Sequence, residues 1–239
     1  KLVKSKSMTT EEIDVNDHLE AGGYEVVETD LGEYVIQIAD EAPSHLIGPA
    51  MHRSPEDIAD LFNSEFDLED DLSGDPDELT EFARERVGKH IREADVGMTG
   101  ANFVVAESGT LMLVTNEGNA RKTAVTPDTH IAVAGIEKLV PSLADLQPFT
   151  ELIARTGTGQ DITSYVSLLT PPVDTPIPDF GADEMRPADD REFHLVLLDN
   201  GRMGMREDDD LRETLYCIRC GACSNACSNF QAVGGHGFG

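Results

Sequence analysis

Residues 101–134, ANFVVAESGTLMLVTNEGNARKTAVTPDTHIAVA, hold three short runs rich in apolar and β-branched residues, separated by polar turns. Ala101 to Ala106, Leu111 to Val114 and His130 to Ala134 read as strands. Downstream, a helix is expected from about Ser142 to Arg155, then strands at Tyr165 to Leu169 and Glu192 to Leu198. Strands alternating with helices predict an α/β domain around a partly parallel sheet.

Toward the N-terminus, Thr9 stands three residues before Glu12, a capping-box spacing that predicts a short helix from Thr9 to Glu20. Tyr24 to Val27 and Tyr34 to Ile38 read as two strands. Ser54-Pro55-Glu56-Asp57 starts a helix running to about Phe62, with an N-cap serine, proline in the first turn and carboxylates at the positive dipole end. A second helix, Pro76 to Glu93, places Leu79, Phe82, Ala83, Val87 and Ile91 on or near one stripe. Between these helices, residues 65–77 hold seven carboxylates but lack the fixed order of alternating ligands, central glycine and closing glutamate that a calcium loop needs, so they read as a solvated acidic loop. Pro171, Pro172, Pro176, Pro178 and Pro187 predict an excursion or hairpin arm before the last strand, a surface that another subunit could meet.

The 239 residues carry 46 acidic and 18 basic side chains, a formal net charge of −28. Such a surface repels phosphate backbones and anionic lipid, which argues against nucleic-acid and membrane-surface roles. Apolar residues make up 39% of the chain, too many for an acidic disordered segment. The acidity therefore reads as adaptation of a folded protein to a salt-rich cytoplasm, where counterions screen self-repulsion. No apolar run approaches the roughly 20 residues of a transmembrane helix, and the start at Lys1, with neither methionine nor signal sequence, reads as a piece of a longer cytoplasmic chain.

All four cysteines fall within eleven residues: Cys217, Cys220, Cys223 and Cys227, spaced C-x2-C-x2-C-x3-C. This is the run that ligates [4Fe-4S] clusters in bacterial-type ferredoxins; its short gaps let successive thiolates wrap one cubane. Structural zinc more often joins two separated cysteine pairs, and disulfides would need an oxidising compartment. In two-cluster ferredoxins the fourth cysteine serves the other cluster. Cys217, Cys220 and Cys223 are thus expected to hold one cluster and Cys227 a second, with partners beyond Gly239, so clusters are expected to be absent or incomplete on these residues alone. Ser228 stands where proline usually follows the fourth cysteine. Leu211, Leu215 and Ile218 have helical spacing, which puts the first cysteines at or just past a helix end. His236 reads as loop filler.

Gly97-Met98-Thr99-Gly100-Ala101-Asn102-Phe103, Ala106-Glu107-Ser108-Gly109-Thr110, Thr115 to Arg121 and Thr129-His130-Ile131-Ala132-Val133 occur in the order that resembles the LUD domain of the LutB/LldF family. The cysteine run followed by Gly234-Gly235-His236 is similar to the start of that family's ferredoxin-type region. The resemblance implies a LUD-type α/β domain over residues 1–204, similar to the NagB/RpiA/CoA-transferase-like fold, and an incomplete α-helical ferredoxin-type segment over 205–239. It implies an iron-sulfur electron-transfer subunit of a complex that oxidises L-lactate to pyruvate, an oxidoreductase system of L-lactate dehydrogenase type. It implies two [4Fe-4S] clusters in the full-length protein, and as partners a second iron-sulfur subunit and a second LUD-domain subunit.

Likeness to CoA transferases raises a second possibility, a catalytic or small-acid-binding domain with structural clusters. Glu107 would then be a carboxylate nucleophile, although a polar residue ending a buried strand is the preferred reading. Asn116, Glu117, Gly118, Asn119 and Arg121 have the composition of an anion-binding turn; a ligand loop and a plain hairpin turn both remain open. Arg121 and Lys122 could hold a carboxylate or phosphate. His130 reads as a satisfied core histidine. Gly157-Thr158-Gly159 lacks dinucleotide-binding spacing, and no Walker A sequence occurs.

Overall fold

A computed structural model describes residues 1–170, 177–179, 184–186 and 191–235. Its central sheet is built from β1 (Leu2–Lys4), β2 (Val26–Glu28), β3 (Val96–Thr99), β6 (Thr129–Gly135) and β11 (Glu192–Leu198). All neighbours in it are parallel, in the order β2-β1-β3-β6-β11. A second sheet stacks β7 (Leu139–Val140), β4 (Phe103–Val105), β5 (Thr110–Thr115) and β8 (Tyr165–Leu169), with β4–β5 and β5–β8 antiparallel. The expected α/β class with a parallel sheet is therefore correct.

Period-2 alternation explains how the central sheet is covered on both faces. Val3 and Val27 point to one side, into a core completed by Tyr34, Phe62, Leu79, Ala83, Val87 and Ile91 from three helices: α3 (Leu31–Ala39), α4 (Pro55–Glu65) and α5 (Pro76–Glu93). Leu2 and Val26 point to the other, with Met98 and Val133, beneath Val15 and Leu19 of α2 (Val15–Ala21). Val104, Leu111, Ala132 and Ala134 form a separate buried cluster shared by the two sheets. Phe103, Val105 and Met112 on the outer face of the second sheet pack under Phe149 and Ile153 of α7 (Gln147–Thr158).

Where local signals agree, elements fall as read. The N-cap expected for α4 forms, with Ser54 and Asp57 in a reciprocal capping box, and α5 is capped by Asp75, whose carboxylate accepts from the Asp77 and Glu78 amides. Leu211, Leu215 and Ile218 surround a 3-10 turn over Arg212–Tyr216 that ends at Cys217.

Three expectations are corrected. Tyr34 to Ile38 is not a strand but the heart of α3, because burial of Tyr34 and Val35 in the core that also holds Ala59 and Phe62 of α4 overrides β-propensity. Gln37 of that helix hydrogen-bonds the outer edge of β2, accepting from Glu28 N (2.9 Å) and donating to Val26 O (2.9 Å), in place of a further strand. The single helix over Thr9 to Glu20 is two, α1 (Met8–Glu11) and α2, broken where Asp14 turns left-handed at φ 49°. Its cap is Ser7, not Thr9. The segment from Ser142 begins as a 3-10 turn over Leu143–Leu146 before α7.

Two central strands, β1 and β3, are absent from the sequence reading. Each is only three or four residues long, and β3 contains Gly97. A Cβ there would overlap the Thr123 carbonyl oxygen of α6 (Asn119–Val125), so the glycine lets helix and strand backbones touch. In the proline-rich arm, Ile177–Asp179 (β9) and Glu184–Arg186 (β10) pair as an antiparallel ribbon. Pro171, Pro172, Pro176 and Pro187 lie outside the described residues, as does His236. No described helix is long and apolar enough to cross a membrane.

Candidate functional site: a cavity walled by the cysteine segment

The strand order 2-1-3-4-5, counting the central strands in sequence order, reverses between β1 and β3. Parallel sheets open a crevice at such a switch point, beyond the carboxyl ends of the strands. A cavity of about 340 Å³ lies there, within the size range of small-molecule sites. Ser5 to Ser7 follow β1 into it, Gly100 to Asn102 follow β3, and Lys138 follows β6. Leu113 to Glu117 and Asn119 come from the end of β5 and the start of α6, Ile153 and Gly157 from α7. The last wall is Ile218, Arg219 and Cys220 of the cysteine segment.

Close fit at the strand ends is enforced by small residues. A Cβ on Gly100 would meet Ser7 Oγ at 2.7 Å. Asn102 is held in place because its Oδ1 accepts from Val114 N at 2.8 Å. Asn116 donates to Gln160 Oε1 (2.8 Å) and accepts from Ser164 N (3.2 Å), which joins the loop after β5 to the turn after α7.

Three cations reach this wall in a chain where cations are scarce. Lys6 pairs with Glu33 Oε1 at 2.5 Å and donates to Ile47 O at 3.3 Å. Arg219 pairs with Glu12 Oε2 at 2.7 Å. Glu12 also binds Arg202, which in turn pairs with Glu137, so the loop is tied to α1, to the end of β6 and to α8 (Arg202–Glu207). These partners hold Glu12 down at about 2 despite the opposing effect of its burial. Lys138 is 5% exposed; its Nζ donates to the Cys217 carbonyl at 3.0 Å and lies 6.0 Å from the Phe103 ring. Burial pushes its pKa down, with Glu137 opposing. Glu117, also on the wall, is pushed up by burial and then by Asp30. Asn119 has neither a donor nor an acceptor partner for its buried side-chain amide.

Glu33 gives this region a pH signature. Burial outweighs the Lys6 ion pair and, with Asp30 adding repulsion, lifts the carboxyl to about 7. His130, buried and hydrogen-bonded through Nε2 to Thr99 Oγ1 at 2.9 Å, is pushed down to about 4 by burial, with a smaller effect from Arg191. Folded Glu33 keeps a proton that the unfolded chain releases near 4.5, so its contribution falls as pH rises from about 4.5 to about 7. Unfolded His130 takes a proton near 6.5 that the fold refuses until about 4, so its contribution rises over that range. These slopes oppose each other. Urea unfolding of Glu33→Gln is therefore expected to show stability rising from pH 4.5 to 6.5, and a gain over wild type at pH 7.5 on the order of 2–3 kcal/mol. Parallel pH curves for the two proteins would contradict the assignment.

The four thiols are free. Cys217 ends the 3-10 turn, Cys220 precedes Gly221 at φ 74°, Cys223 lies in α9 (Ala222–Ala226), and Cys227 separates α9 from α10 (Ser228–Val233). Arg219 is left-handed at φ 57°, and its amide donates to Cys217 Sγ at 3.4 Å. The four-thiol donor set and this amide-to-sulfur bond suit an iron-sulfur cluster, whose sulfurs are tuned by such bonds. Among the described residues, no three His, Cys, Asp or Glu side chains converge on a ready-made metal site. The segment is docked by more than Arg219. His45 Nδ1 accepts from the Ile47 and Gly48 amides, which leaves Nε2 to donate to Asn225 Oδ1 at 3.1 Å, and Phe230 packs edge-on against the same ring. Ile218 joins the core beside Phe149 and Ile153.

Residues 1–198 match the family model of the LUD domain. The chain belongs to the LUD domain family. Lactate utilization protein B of Shouchella clausii (strain KSM-K16) is 48% identical over 240 residues, and that of Geobacillus thermodenitrificans (strain NG80-2) 45% over 241, each match covering all of this chain. The Bacillus subtilis (strain 168) protein of the same name is 44% identical over 245 residues. This chain spans about half the length of these relatives, 48% of each.

Within the LUD domain, the residues expected from sequence separate. Asn116, Glu117 and Asn119 line the cavity, whereas Gly118 and Arg121 are not on its wall. The stretch is no hairpin turn, because β5 leads directly into α6. Arg121 and Lys122 are exposed on that helix, and the Arg121 guanidinium stacks 4.6 Å from the Tyr165 ring centre. Glu107 is exposed outside the cavity and accepts from Leu143 N at 3.0 Å, starting the 3-10 turn before α7. His130 is a buried, hydrogen-bonded core residue. Lys6, Lys138 and Arg219 escaped the sequence reading. Lys138 carries a usable signal, a lysine three residues past the end of the apolar strand Thr129–Gly135.

Proposed function

We propose that this chain is the LUD-domain part of an iron-sulfur electron-transfer subunit that serves the oxidation of L-lactate to pyruvate. The observation that carries the reading is the docking of the C-x2-C-x2-C-x3-C segment onto the domain's cavity, through Lys138 to Cys217 and Arg219 to Glu12. The names of the relatives support lactate as the carbon source. Residues 1–204 would form the domain and 205–239 the start of the ferredoxin-type segment. Cys217, Cys220 and Cys223 would ligate one [4Fe-4S] cluster, and Cys227 a second completed by another cysteine run of the full-length protein. Such clusters would supply one-electron transfer. The chain's own residues position them: Lys138 and Arg219 fix the loop, and the Arg219 amide is offered to a ligand sulfur.

The partners on this reading are a second iron-sulfur subunit and a second LUD-domain subunit, in a cytoplasm whose salt screens the −28 charge. Acyl transfer through Glu107 has no comparable support, since that carboxylate lies outside the cavity and caps a turn.

The test uses the full-length protein, purified anaerobically. Dithionite reduction is expected to give a [4Fe-4S] EPR signal, and Cys220→Ser with Cys223→Ser to remove one cluster's iron. In a separate sample left oxidised, with the partner subunits present, L-lactate is expected to reduce the clusters of the wild type. Iron content and EPR unchanged by the double substitution would refute the ligand assignment.

A further inference from the structure

The cavity wall contains two polar groups that the fold leaves wanting. Lys138 is buried, has three N–H donors, and uses one of them, on the Cys217 carbonyl. Lys6 and Arg219 are each within ion-pair distance of a carboxylate, but no carboxylate stands within that distance of Lys138 among the described residues. Asn119 is the second group: both atoms of its amide are out of solvent and unbonded. A buried amide left so costs stability. The wall's carboxylates do not answer this need. Asp30 accepts the Lys6 amide at 2.8 Å, and Glu117 belongs to the loop before α6. Apolar surface from Leu113, Val114, Ile153 and Ile218 completes the lining.

We propose that this cavity binds a small organic carboxylate, its anionic end taken by the Lys138 ammonium and the Asn119 amide and its body lying toward the Cys220 wall. One anion would satisfy both groups, since a carboxylate accepts from the ammonium and from the amide NH₂ together. A 2-hydroxy or 2-oxo acid would also present a hydroxyl or carbonyl to the remaining wall. The choice of a carboxylate over another small anion rests on the proposed lactate role; the placement rests on Lys138 and Asn119 lining the same cavity with hydrogen-bonding capacity unused. The site so formed is composite, because the domain supplies the anion contacts and the cysteine loop closes the wall.

Calorimetric titration of the full-length protein with pyruvate, L-lactate and inorganic phosphate tests this without reference to cluster content. Wild-type protein is expected to bind pyruvate or lactate more tightly than phosphate. Lys138→Met is expected to weaken that binding at least about tenfold, as loss of a charged hydrogen bond should. Asn119→Ala keeps the test sharp, because the amide makes no bond within the protein. It should weaken binding while leaving the melting temperature unchanged or higher. Lys122→Met, exposed and off the wall, should bind as wild type does. Unchanged affinity in both Lys138→Met and Asn119→Ala would overturn the site. Preference for phosphate, or no binding of either acid at millimolar concentration, would overturn the carboxylate. A protein that binds pyruvate through Lys138 yet shows no iron-sulfur signal would leave this inference standing and sink the electron-transfer reading.

Discussion

Replacing Phe62 by alanine is expected to cost about 3–5 kcal/mol of folding stability. The ring is fully buried, and it joins three helices: its centre is 6.5 Å from that of Tyr34 on α3, 6.0 Å from Phe66 at the end of α4, and 5.2 Å from Phe82 on α5. Arg86 covers this cluster from outside, 3.7 Å above the Phe66 ring. Because three elements meet at one side chain, none can collapse alone to fill the void, and the cavity cost should lie toward the upper end. In a domain of this size the melting temperature should fall by roughly 6–20 °C. Phe62→Leu, which keeps most of the volume, should cost clearly less. A loss below about 1 kcal/mol for the alanine variant would show that the three helices are not mutually dependent.

Lys4→Met is the second large effect, about 3–5 kcal/mol, and its cause is charge. The Lys4 side chain is entirely buried at the end of β1. Its Nζ reaches Glu28 at 2.7 Å, Glu11 at 3.0 Å and Thr10 Oγ1 at 3.2 Å, so every donor is used. Burial works against the ammonium, but the two carboxylates outweigh it and hold Lys4 above its ordinary range. Removing the amine strands Glu28, itself buried. The double variant Lys4→Met, Glu28→Leu removes both charges and should recover most of the loss. A double-mutant cycle from urea unfolding measures this directly. If the two single losses simply add, the pair is not an energetic unit.

Much of the fold was legible in single stretches of chain. For α5, Asp75, Pro76 and the stripe Leu79, Ala83, Val87 and Ile91 all give the same answer within eighteen residues, and the helix runs from Pro76 to Glu93 as read. β11 was equally plain, a seven-residue segment with Phe193 and the apolar run Leu195 to Leu198 that was read over Glu192 to Leu198 and forms there. The α3 segment was not, because Tyr34-Val35-Ile36 suits a strand by propensity and becomes helical through packing on Phe62. β1 and β3 were missed because three or four residues, ending in a lysine in β1 and interrupted by a glycine in β3, show no period.

The site divides in the same way. Four thiols spaced along eleven residues form a motif that is read from chain distance alone. Lys138 and Asn119 do not, since they lie nineteen positions apart in sequence and reach one cavity only when β5, β6 and the cysteine loop are assembled. Arg121 drew notice as a rare cation, yet rarity says nothing of direction, and its guanidinium stacks on Tyr165.

The sequence by itself therefore determined the α/β class, the long helices, the acidic surface and the cysteine motif, because propensity, periodicity, composition and spacing are local properties. Tertiary structure alone decided which cations face the cavity, that Glu107 and Arg121 stand outside it, and that the cysteine loop is one of its walls. Those outcomes depend on strand order, and strand order follows from burying both faces of a parallel sheet, which no short stretch of sequence encodes.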